Sequence, residues 1–273
     1  MVAYRPSLLL ADPNSLIVDL DTYYKLIEEL EKHRGYGVHS GVEEVSEKIG
    51  QPYDATRAIR SQYLQRKSIK NHYKVKDKAG ILYKEWKEGK TLSELALQVD
   101  FPPILLANFL MLKMRFSKKR TKEIMKNTNL VKNNLRLKKE LDEIIGRDEL
   151  YTPRSHDKQS AEGNRREDLI AEWLDKKEMT YFTEEDLRAG TVEGKTPDFL
   201  LKKPINWHGD KYNWIESKAS FGDEYIHRKN HGGQVSQYVE LYGQGILVYW
   251  YGYLDSLKSR GYTIIDRKEM GLK

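Results

Sequence analysis

The sequence predicts an all-α amino-terminal region followed by an α/β carboxy-terminal domain, and three observations lead there. From Leu20 to about Arg147, apolar residues recur at helical spacing with Gly and Pro between the runs. From Gly163 the pattern changes to an amphipathic helix and then short apolar stretches of strand length. Charge changes along the chain as well. Residues 60–140 carry 21 Lys and Arg against 7 Asp and Glu, whereas the segments on either side are each net acidic by about 4 charges. A basic middle between acidic ends suggests an electrostatic footprint for a polyanion.

The helical region reads as two units of one design, over residues 1–77 and 78–150. In the first, Tyr23, Leu26, Ile27 and Leu30 form an apolar face ending near Gly35 and Gly37. A short helix with Val42, Val45 and Ile49 is stopped by Gly50, and after Gln51-Pro52 a third helix runs past Ala58, Ile59 and Tyr63. Short helix, tight turn and longer helix is the helix-turn-helix pattern. Arg57, Arg60 and Arg66 on the third helix are candidate nucleic-acid contacts. In the second unit, Ile81, Leu82 and Trp86 precede Gly89, and Thr91-Leu92-Ser93-Glu94 is a capping box. Asp100-Phe101-Pro102-Pro103 turns the chain into a helix over residues 104–114 that is too apolar to read a groove and suits a core. A lysine-rich stretch from Ser117 to about Arg147 follows, with Lys118, Lys119 and Arg120 as further candidate contacts. The Pro- and Ser-containing segment at 151–159 reads as a domain boundary, which leaves 155–273 as the last domain.

Composition removes several function classes. There is no cysteine, so thiolate zinc sites and disulfides are excluded. No run of 18 apolar residues occurs, so no membrane span is expected, and the Leu8-Leu9-Leu10 run is too short for a signal-peptide core. An intracellular address fits, cytoplasmic for a prokaryotic source and nuclear and cytoplasmic for a eukaryotic one. No Gly-x-Ser-x-Gly elbow accompanies Ser236 or His208, which argues against a hydrolase triad.

The chemistry concentrates in the last domain. A helix beginning near Asn164 carries Glu167, and Thr183-Glu184-Glu185-Asp186 resembles another helix start. Residues 195–201 form a short strand approached through Pro197-Asp198, and 212–218 a second strand ending Glu216-Ser217-Lys218. Residues 246–251 form a third, buried strand reached through a helix holding Gln234 and Tyr238. Two carboxylates on adjacent strands can reach one ion, and magnesium prefers hard oxygen ligands together with water and substrate phosphate. Side-chain alternation puts Glu216 and Lys218 on one face. Lys218 is then placed to orient or deprotonate an attacking water, and the Ser217 carbonyl is available as another ligand. Glu167 would complete the site. The spacing alone is a weak signal, because a turn-forming Asp and a surface Glu/Lys pair have the same pattern.

These residues carry a family resemblance. Lys195-Thr196-Pro197-Asp198-Phe199, Trp214 through Glu224, Gly243-x-Gly245 and Tyr249-Trp250-Tyr251-Gly252 closely resemble the TPD-motif family, and Leu95-Ala96, Val99-Asp100 and Pro103 are similar too. About two thirds of the chain is covered. The family includes the eukaryotic codanin-interacting nuclease and archaeal relatives, and the likeness here is to an archaeal member. It implies a restriction-endonuclease-like PD-(D/E)xK fold of Holliday-junction-resolvase type behind helix-turn-helix units. It also implies Asp198 and Glu216 as metal acids, Lys218 as the catalytic lysine, Glu167 as a helix glutamate and Gln234 as a glutamine common in such enzymes. Residues 225–233 depart from the animal sequence, so His227, Arg228, Lys229 and His231, read as a basic loop that faces substrate or solvent, carry no transferred specificity.

The expectation is a Mg2+-dependent nuclease, with Mn2+ able to substitute, acting on nucleic acid, DNA before RNA and structured or branched forms included. A homodimer is expected by analogy with resolvases, and a codanin-like partner only for a eukaryotic source. The competing reading is an inactive nucleic-acid-binding or adaptor protein that uses a nuclease-like clamp.

Overall fold

A computed structural model describes residues 16–190 and 194–272. They fall into two compact units. Lys25–Ala161 forms one, and the residues up to Tyr24 together with those from Glu162 onward form the other.

The helical unit is ordered by its turns. After α1 (Leu20–Lys32), the short α2 (Val42–Ile49) ends at Gly50, whose left-handed backbone lets its N–H return to Ser46. α3 (Tyr53–Lys87) then runs 35 residues without interruption. The expected division at residues 77/78 therefore falls inside a helix: Val75, Ala79, Leu82 and Trp86 keep its buried stripe in phase. The Thr91–Glu94 capping box starts α4 (Leu92–Gln98), and Pro103 opens α5 (Pro103–Lys113) as expected of a core helix, with Leu106, Ala107, Leu110 and Met111 fully enclosed. α6 (Lys118–Lys126) and α7 (Leu135–Arg147) complete the unit. The buried Glu140 of α7 accepts from Trp86 Nε1 (3.0 Å) and from the Leu92 amide (2.9 Å), which ties α7 to α3 and α4.

The expected boundary loop at 151–159 is instead the start of α8 (Pro153–Asp175). The Thr152 hydroxyl accepts from the Ser155 amide and caps the helix, and Pro153 suits its first turn. Cap chemistry and loop chemistry use the same residue types, which is why the segment reads as a linker.

In the other unit, β2 (Tyr181–Thr183), α9 (Glu184–Ala189), β3 (Phe199–Trp207), β4 (Asp210–Lys218), α10 (Glu224–Asn230), α11 (Ser236–Tyr242), β5 (Gly245–Tyr249), β6 (Tyr253–Leu254) and β7 (Tyr262–Asp266) follow in order. The main sheet has the order β2-β3-β4-β5-β7, antiparallel up to β4 and parallel from β4 to β7. His208 and Gly209, both at positive φ, make the tight β3–β4 turn. Ile215, Ile246, Val248 and Ile265 pack with Ile170 and Leu174 of α8, while Trp214, Leu247 and Tyr249 pack with Val235 and Tyr238 on the other face. Gly245 is required by this packing, because a Cβ there would lie 1.9 Å from the Trp214 ring. A strand the sequence reading did not foresee, β1 (Ile17–Val18), pairs in parallel with β6. Among the described residues no single helix is long and apolar enough to cross a membrane.

Candidate active site

The β3–β4 pair fixes the two acids by reciprocal backbone hydrogen bonds. Asp198 stands immediately before β3, and Phe199 faces Ile215 in register. The Asp198 amide donates to Glu216 Oε2 (3.2 Å), and the Ser217 amide donates to Asp198 Oδ2 (2.7 Å). Each carboxylate thus anchors the other's strand, which accounts for a Pro at 197: only the following residue needs a free N–H here. Period-two alternation brings Glu216 and Lys218 to the same face. The Lys218 ammonium donates to Glu216 Oε1 and to Gln234 Oε1 (3.1 Å). Gln234 belongs to a π-helical turn, His231–Val235, inserted between α10 and α11. Of the residues expected at the site, the structure therefore joins Asp198, Glu216, Ser217, Lys218 and Gln234 in one hydrogen-bonded group.

The electrostatics are those of crowded acids. Glu216 is only 1% exposed, and burial raises its carboxyl pKa although the Lys218 ammonium opposes the shift. Burial and the neighbouring Glu216 also push Asp198 upward. Glu167 of α8 is pushed up to about 7, first by burial and then by the charges of Asp198 and Glu184. It feels the site without joining it as a third close acid: no three His, Asp or Glu side chains gather around one point among the described residues. A cation here would meet two carboxylates, with backbone oxygen, water and substrate left to fill its shell.

Comparison with known proteins bears on this region. Residues 133–268 match the family described as "Protein of unknown function TPD sequence-motif". Over these residues the chain is similar to the TPD-motif family. Relatives named CDAN1-interacting nuclease 1 are 34% identical over 175 residues in Mus musculus and 33% over 175 residues in Homo sapiens, each alignment covering 61% of this chain and 61% of the relative. In Danio rerio the figures are 32% over 184 residues, 64% of this chain and 61% of the relative. The chain thus spans about three fifths of the length of the curated relatives it matches. No solved structure matches.

The TPD triplet itself, Thr196-Pro197-Asp198, is held by residues that sequence reading left aside. Tyr238 donates its hydroxyl to the Thr196 carbonyl (2.9 Å), and burial and the nearby acids keep that phenol protonated. Glu184, read only as part of a helix start, donates its amide to the Asp198 carbonyl (3.1 Å) and accepts from the Thr196 hydroxyl (3.5 Å). Trp250 Nε1 donates to Ser217 Oγ (2.7 Å), and the guanidinium of Arg166, 5.7 Å from the Trp250 ring, packs beneath it. Only the capping pattern at Thr183–Asp186 signalled Glu184, and that pattern gives the helix start without its neighbours.

Two expected nucleic-acid contacts are corrected. Arg60 is 0% exposed, and its guanidinium donates to the carbonyls of Gly37 (2.8 Å), Leu30 (2.9 Å) and His33 (3.1 Å), closing the carboxyl end of α1. His227 is buried as well, hydrogen-bonded to Tyr249, Tyr262 and the Lys258 carbonyl, and is not on a substrate-facing loop. Arg57 and Arg66 are half-buried, and Arg120 is engaged by Glu123 and the Leu130 carbonyl. Lys118, Lys119, Arg228 and Lys229 are exposed.

Proposed function

We propose that this chain is a divalent-metal-dependent nuclease that hydrolyses phosphodiester bonds. The observation that carries the reading is the Asp198–Glu216–Lys218 group. Two acids share reciprocal backbone hydrogen bonds across neighbouring strands, and an ammonium is held beside them. The names of the relatives support it.

The donor set suits magnesium, which takes few protein carboxylates and keeps water in its shell, and manganese is expected to replace it. Asp198 and Glu216 would hold the ion, with the Ser217 carbonyl as the next oxygen donor. When bound, the ion supplies charge stabilisation at phosphorus and a more acidic water. Lys218, held between Glu216 and Gln234, orients the attacking water and offsets charge gathering on the phosphate. Water oxygen bonds to phosphorus, the bond to the leaving oxygen breaks, and that oxygen takes up a proton. Glu167, with its carboxyl near neutrality, is suited to exchange a proton at this stage.

The mixed sheet with helices on both faces supports a PD-(D/E)xK, restriction-endonuclease-like fold of the resolvase type. α4 and α5, bent by 111°, fall in the range of a helix-turn-helix pair. Such units would serve to hold DNA, including branched DNA, and a homodimer follows the same analogy. Binding of a codanin-like protein is the second reading, favoured by the relatives' printed name.

Labelled single-stranded, duplex, forked and four-way substrates incubated with magnesium or EDTA test the proposal. Wild type is expected to cut at least one of them only with magnesium, and Asp198→Ala and Glu216→Ala to cut none. Cleavage surviving in both variants would remove these residues from the reaction. Calorimetric magnesium binding that is unaffected by Asp198→Ala would leave the adaptor reading.

A further inference from the structure

We infer that the solvent face of α3 is a platform for single-stranded nucleic acid, with lysines on the phosphates and Tyr73 stacked on a base. The inference rests on the proposed nuclease reading only in taking nucleic acid as the ligand.

Tyr73, Ile69 and Ile81 are 73%, 67% and 62% exposed, and their spacing of 4 and 8 residues sets them along one side of the helix. Scattered exposed apolar residues need no explanation, but a row of three on one helix face does. Lys70, Lys74 and Lys78 run beside them at intervals of four, about 6 Å per step along the axis. None of these lysines has an ion-pair partner among the described residues. A groove of about 460 Å³ opens on the flank of the lysine row away from Tyr73, lined by Asn71, Lys74, Lys78, Ile81 and Gln98, and its volume is that of a small-ligand pocket. The two acids at its edge are already neutralised, since Lys67 pairs with Asp100 (2.5 Å) and Lys90 with Glu85 (2.8 Å). The groove therefore presents the unshared charge of Lys74 and Lys78 next to the aliphatic surface of Ile81, and Tyr73 stands on the other side of the lysine row.

That combination selects the ligand. Phosphate contacts alone would suit any polyanion. An exposed tyrosine among lysines adds a surface on which an unpaired base can stack, and a continuous duplex offers no free base face. A strand already separated, such as the arm of a forked substrate, satisfies both.

Fluorescence anisotropy of a labelled oligothymidine and a blunt duplex, measured in EDTA over a series of salt concentrations, tests this. Wild type is expected to prefer the single strand. Tyr73→Ala should weaken single-strand binding by roughly ten-fold and leave the duplex nearly unchanged, the loss of about one stacked base. Lys70→Ala/Lys74→Ala/Lys78→Ala should flatten the slope of log K against log salt by about 2, at roughly 0.7 per lost phosphate contact. Alanine at exposed helix positions preserves the helix, which circular dichroism checks. An unchanged slope, or a Tyr73→Ala variant that binds the single strand as wild type does, overturns the inference. So does an acidic peptide that binds as tightly with the same dependence on these residues, which would make the face a protein-docking surface. Asp198→Ala is expected to bind the oligonucleotide like wild type. Absent cleavage with intact binding would therefore count against the nuclease reading alone, and lost binding with intact cleavage against this one alone.

Discussion

At the scale of single residues, the site trades stability for charge. A carboxyl whose folded pKa is raised binds more protons folded than unfolded, so its contribution to stability is present at low pH and is lost as pH rises toward 7. Asp198→Asn keeps the acceptor for the Ser217 amide and removes the charge. In EDTA at pH 8 it is expected to melt above wild type, with the advantage gone near pH 5, where the native acid is itself protonated. Magnesium should raise the melting temperature of wild type, more at pH 8 than at pH 5.5 because binding releases protons, and should leave Asp198→Asn unmoved. A variant that melts below wild type at pH 8 would show that the acids are not in conflict. Arg60 is the opposite case, a cation whose value is structural. Arg60→Ala takes the guanidinium from three carbonyls, of which those of Leu30 and Gly37 keep the amides of His33 and Ser40, and is expected to cost about 2 kcal/mol in urea unfolding. A cost within experimental error would mean water replaces the guanidinium. The alternation that sets Glu216 beside Lys218 was legible in the sequence, and so was the pairing with Asp198. The enclosure of Arg60 was not, because a helix-borne arginine looks the same in sequence whether its partners are solvent or carbonyls thirty residues away.

Among the elements, the π-turn carries the most weight. It lets α10 and α11 satisfy two sets of contacts at once: Gln234 reaches Lys218, while Tyr262 hydrogen-bonds His231 (3.2 Å). Deleting Gly233 removes the extra residue and turns one side by roughly 100° relative to the other. The two contacts then exclude each other. Metal-dependent cleavage is expected to fall at least ten-fold, with little change in far-ultraviolet circular dichroism, and undiminished cleavage would show that Gln234 does not hold Lys218. The helix around Gln234 and Tyr238 could be read from apolar spacing, but one inserted residue leaves that spacing too little changed to reveal a π-turn. Glu184 escaped for a related reason. Its capping box fixes where α9 begins, whereas its contact with the Thr196–Asp198 segment depends on how β2 and β3 come into register.

For the whole molecule, the unit that holds the TPD site is discontinuous in sequence, a feature that local patterning could not reveal because two-residue strands carry no periodicity. Ile17 and Val18 pair with Tyr253 and Leu254, and the Leu16 amide donates to the enclosed Asp266 carboxylate (3.1 Å). Tyr23 stacks on Phe221 at 5.9 Å and donates to Asp223 (3.1 Å), the residue that caps α10 and so leads into the π-turn. A fragment of residues 155–273, the domain expected from sequence, lacks all of this. Losing the buried Leu16, Val18 and Tyr23 removes roughly 5 kcal/mol or more of apolar burial and leaves the Asp266 acceptor without one of its donors. The fragment is therefore expected to show a broad, low melting transition and little cleavage. A peptide of residues 16–26 added in trans should sharpen the transition and bind with an affinity that Tyr23→Ala in the peptide reduces. A fragment that melts and cuts like the full chain without the peptide would mean that β1 and Tyr23 only cover the unit, and that Asp223 holds α10 without help from Tyr23.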